Sequence, residues 1–162
     1  MLRSTVCLLL LAALGCSADP EHPGSEKATA SVDIGVPAGD GLDFAHLEPG
    51  SVLKLQTFGQ GGTHVLLAVR TIGFGNRAFV AMTLRNLLTD ALVTSPAPVR
   101  PQLFICEGDT CDLVPLLVMT AGLVEMDAER DGLAIEVRAD VHNDAGVEAH
   151  ATREALLSTE DL

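Results

Sequence analysis

Beyond residue 28 the chain is a succession of short apolar stretches, each closed by Gly, Pro, Asn or Asp. Within most of them apolar and polar side chains alternate, the period of two that a half-buried strand shows. Residues 30–36 set Val32, Ile34 and Val36 on one face, and residues 43–47 form a short edge strand before Glu48-Pro49-Gly50. Residues 52–58 and 63–70 read as the clearest hairpin. Leu53 and Leu55 line one arm, Val65, Leu67 and Val69 the other, and His64 falls on the polar face. Strands at 77–84 and 91–94 follow. Pro96, Pro98 and Pro101 then mark a connection between sheets, because proline donates no ladder hydrogen bond. Residues 102–106 and 111–118 flank a turn at 107–110, and Pro115 marks an edge or a bulge.

The last hairpin predicts its own register. Ile135, Val137, Ala139 and Val141 alternate with Glu136, Arg138, Asp140 and His142, and Val147, Ala149 and Ala151 alternate with Glu148, His150 and Thr152. Apolar residues meet only across a loop with an odd number of residues, Val141 lying opposite Val147. A slip of one residue would turn every inward side chain to water. Residues 155–157 add a final strand end. No long stretch carries the helical period. About eight or nine short strands at this spacing predict an all-β chain, a single antiparallel β-sandwich of immunoglobulin or fibronectin type.

Hydrophobic residues make up 48% of the chain, which excludes global disorder. With no Trp, no Tyr and five Phe, aliphatic side chains must fill the core. The net charge of -12 provides no basic patch for nucleic acid or for anionic lipid heads.

Arg3 precedes an apolar run at residues 8–14, too short to span a bilayer, which needs about 20 residues. A charged start, an apolar run and a small residue before the cut make a signal peptide. Its Ala13-Leu14-Gly15-Cys16 end resembles the lipobox of bacterial lipoproteins, with Ala13 where that family usually has Leu. The resemblance implies a signal peptide at 1–15, acylation of Cys16 as the mature N-terminus and, with Ser17 after it, the outer membrane of the cell envelope. An ordinary secretory signal cut near Ser17 or Ala18 is the alternative. Residues 16–28, polar and broken by Pro20 and Pro23, then form a flexible tether to a domain at 29–162.

With Cys7 and Cys16 assigned to signal and anchor, Cys106 and Cys111 remain, an even pair that reads as a disulfide in an exported chain. Zinc would need two further soft ligands. Gly59-Gln60-Gly61-Gly62-Thr63-His64 is a tight turn or a ligand loop, without the Lys of a phosphate loop. With the strand that follows, it resembles a recurring stretch of uncharacterised myxobacterium-like lipoproteins, which implies a location and no activity. The acidic groups Glu107/Asp109/Asp112 and Asp127/Glu129/Asp131 lack EF-hand spacing. No serine stands in a nucleophile elbow, so no catalytic residue, metal or cofactor is expected.

Two functions compete. One is a lipid-anchored envelope module with a structural or protein-binding role, its partners the membrane and another envelope protein. The other is a small apolar-ligand carrier of β-barrel type, against which the shortage of aromatics counts.

Overall fold

The computed structural model describes residues 29–57, 62–95, 97–121 and 132–158. Among them the chain is all strand and turn, in two sheets. The first sheet runs β2 (Asp43–His46), β1 (Ser31–Ala38), β5 (Thr63–Ile72), β9 (Thr110–Thr120), β8 (Ile105–Glu107), and the short β4 (Gln56–Thr57) also pairs with β5. The second runs β3 (Val52–Lys54), β11 (Glu148–Ser158), β10 (Leu133–His142), β6 (Arg77–Asn86), β7 (Pro101–Leu103). Every pairing among them is antiparallel except β3 with β11, which is parallel and corrects the expectation of purely antiparallel sheets.

The aliphatic core expected from composition is present. Ile34, Leu47, Leu55, Leu67, Leu84, Ile135 and Leu157 are fully buried, and Phe74 and Phe104 are the aromatics beside them. Each such side chain contributes about 1.5–3 kcal/mol by leaving water.

Two stretches expected as single strands each cross from one sheet to the other. Residues 52–57 begin as β3 on β11, pass the buried Leu55 and continue as β4 on β5. At the crossing the Leu55 N–H still donates to the Ser158 carbonyl at 2.9 Å. Residues 102–106 repeat the device. β7 lies on β6, Phe104 turns inward with its N–H on the Asn76 carbonyl at 2.9 Å, and β8 lies on β9. The anticipated eight or nine strands therefore become eleven among the described residues. The predicted 52–58/63–70 hairpin shrinks to two residue pairs, Gln56 with His64 and Thr57 with Thr63.

The last hairpin keeps the expected parity but not the expected pair. Val141 faces Ala149, not Val147, and the loop at 143–147 holds an odd number of residues. Asn143 explains the shift. Its side-chain oxygen accepts from the N–H groups of Ala145 and Val147, which draws Val147 into the turn. Val137, Ala139, Val141 and Ala151 are buried, while Arg138, Glu148 and His150 are exposed. β11 then runs without interruption to Ser158. Pro115 sits in a bulge of β9, where the register with β5 shifts between Leu67 and Val69.

Candidate functional site

Of the residues singled out in the sequence, Cys16, Gly59, Gln60 and Gly61 lie outside the described residues. Gly62 is at φ +92°, and a Cβ there would stand 3.2 Å from the Met119 methyl. His64 is not on a solvated face as expected. It is 3% exposed, between Gln56 and Met119 in the sheet register, because β5 is covered on both sides. Burial lowers its pKa and keeps the imidazole neutral.

The sulfurs of Cys106 and Cys111 lie 2.10 Å apart, joining directly opposed residues of β8 and β9. Asp112 belongs to an ion pair rather than an acidic loop. Its carboxylate accepts two hydrogen bonds from Arg70, at 2.8 and 2.7 Å. The second acidic group, at 127–131, lies outside the described residues. Among the described residues no three His, Cys, Asp or Glu side chains are placed to hold a metal ion.

The structure assembles a polar network that no local pattern announced. Asp33, Arg70, Asp112 and Ile105 stand in one row across β1, β5, β9 and β8. Arg70 lies 4.3 Å from the centroid of the Phe44 ring, and its hydrogen bond to Asp112 raises its pKa. Asp33 accepts from Arg153 at 2.6 Å and contacts His46 Nδ1 at 2.5 Å. Arg153 belongs to the other sheet, so Asp33 clasps the open side where β1 meets β11. A clasp is what this network can provide. It presents paired charges, and no serine or cysteine nucleophile is among its members.

A groove of about 310 Å³ opens on the opposite side, where β6 of one sheet approaches β9 of the other. Residues 80–83 and 116–119 form its walls, and Leu92, Thr94, Ser95 and residues 97–100 of the connection complete its lining. The connection is tied at both ends. Val93 N–H donates to the Leu84 carbonyl at 2.8 Å, Ser95 N–H to the Met119 carbonyl at 2.9 Å, and Pro101 opens β7 against Phe79. Leu92, Val99 and Leu117 keep exposed apolar surface here, and among the described residues Arg100 is the groove's one ionised lining residue. Sequence reading missed the groove because it depends on where β7 leaves β6, a departure that no side-chain alternation records.

No family model, characterised protein or solved structure matches the chain.

Proposed function

We propose that this chain is a lipid-anchored cell-envelope module of immunoglobulin- or fibronectin-like sandwich type, non-catalytic, with a structural or protein-binding role and held at the outer membrane through acylated Cys16. The observation that carries the reading is the separation of the two ends of the domain. Thr29, where the tether would join, lies just before the pairing of Ser31 with Ile72 at one end of β5. The Thr94–Thr120 bridge and the Arg85–Leu92 bridge gather at the other end, beside Thr63. The length of β5, from Thr63 to Ile72, separates them, about 30 Å at a rise of ~3.3 Å per residue. The exposed Leu87, Leu88 and Leu92 lie at that far end. An anchored domain would thus present its apolar surface away from the bilayer, toward a protein.

The buried aliphatic cluster between the sheets supports this role over a carrier that encloses its ligand there. Metabolic labelling of producing bacteria with a lipid precursor tests the anchor. The wild type takes up label in the outer-membrane fraction and Cys16→Ala does not. A wild type without label overturns the anchor.

A further inference from the structure

We infer that the groove between β6 and β9 receives an extended segment of a partner protein, apolar in its side chains and carrying one carboxylate, which pairs with both strand edges. The inference rests on the protein-binding reading above. Among the described residues each edge has a main-chain position with no paired strand beside it. Outward hydrogen bonds leave β6 at Leu84 and Asn86, so by ladder alternation the N–H and C=O of Met82 point the same way. Beyond Phe79 no strand pairs this edge until the bridge at Arg85, among the described residues. On β9 the Met119 carbonyl accepts from Ser95, so the N–H and C=O of Leu117, two residues away, also face the seam. β8 reaches only as far as Asp112 along that edge.

An extended polypeptide satisfies such groups, as strand addition does at other sheet edges. An acyl chain would cover them without a hydrogen bond, at the cost of desolvating them. The volume of about 310 Å³ suits a pair of aliphatic side chains between Met82 and Leu117. Arg100 supplies the polar contact. Among the described residues it pairs with no carboxylate, in a chain whose net charge is -12. A carboxylate beside apolar residues is therefore the charge this rim accepts.

The probe is a fluorescein-labelled heptapeptide of alternating valine and threonine with a central glutamate, titrated by anisotropy into the full chain carrying Cys16→Ala. Saturable binding is expected, weakened about tenfold when alternate peptide amides are N-methylated. Arg100→Glu, at an exposed position, weakens binding about fivefold and regains it when the peptide glutamate is replaced by lysine. Equal affinity for the methylated peptide overturns strand pairing. Displacement of the peptide by hexadecanoic acid assigns the groove to a lipid and overturns the inference. So does a dimer in sedimentation whose Leu117 and Met82 amides are protected from exchange, which gives the seam to a second copy. Failure here with Cys16 labelled in cells removes the groove and leaves the anchor. Binding here with no label on Cys16 does the reverse.

Discussion

Gly35 is a position where the chain has no room for a side chain. A Cβ there would lie 2.2 Å from the Ala45 carbonyl oxygen and 2.6 Å from the Phe44 ring, because β2 folds closely against β1. The Ala45 contact is backbone, which cannot swing away. Gly35→Ala should therefore destabilise by about 1–3 kcal/mol, read as a lower denaturant midpoint with an unchanged slope. His64 gives a second outcome, in pH. Above the ordinary imidazole value of about 6.5 neither folded nor unfolded chain binds a proton at this site. Below it the unfolded chain takes up the proton that the buried ring resists, so stability falls as the solution is acidified. Denaturation at pH 7.5 and 5.5 should show a smaller acid loss in His64→Gln than in the wild type. The burial of His64 departs from its place on the polar face for a physical reason. Alternation identifies the face opposite Val65 and Leu67, but whether β4 and β9 flank that face is a tertiary matter.

Within elements, the last hairpin is the most exact test of facing. Val137 is fully buried and Glu148 exposed. Val137→Asp should cost more than about 3 kcal/mol, because it buries a charge without a partner. Glu148→Ala should stay within about 0.5 kcal/mol. Thermal melts of the pair check both, and a damaging Glu148→Ala with a harmless Val137→Asp would overturn the facing. This much was legible in the sequence, because a period of two reports which side chains enter the core. It does not report which sheet the backbone joins. Leu53 and Leu55 are both buried, as the pattern requires, although hydrogen bonding passes from β11 to β5 directly after them. Phe104 hides the same change between β7 and β8. The groove depends on one of these departures, and so it too was beyond the reach of pattern.

At the scale of the whole molecule the chain passes from sheet to sheet at Leu55 and at Phe104, and the sheets are clasped where β1 meets β11. Arg153 stands opposite the buried Val137 yet reaches out to Asp33. It is partly exposed, so the pair is a modest contributor. Asp33→Asn should lower stability by about 1 kcal/mol, since it leaves Arg153 and His46 without their shared anion. The difference from wild type should narrow in ~1 M salt, where the screening length falls to about 3 Å. A difference that grows with salt would show that Asp33 acts through packing instead. The acidic surface is consistent with this modest scale, since a net charge of -12 keeps the domain apart from other acidic bodies and does little to hold the sheets.

The pairing of β3 with the end of β11 also orders events in time. A chain synthesised from its N-terminus delivers Asp33, Val52 and Leu55 long before their partners Arg153, Leu156 and Ser158. Until those last residues emerge, β3 lacks its paired strand, the Leu55 N–H lacks the Ser158 carbonyl and the clasp lacks Arg153. The β3 edge and the clasp therefore close late, after the pairings of β1, β5 and β9 have their residues in place. A chaperone of the growing chain would meet an uncovered aliphatic edge at β3 until the end of β11 arrives, and a chain halted before residue 153 would lack both the clasp and this pairing.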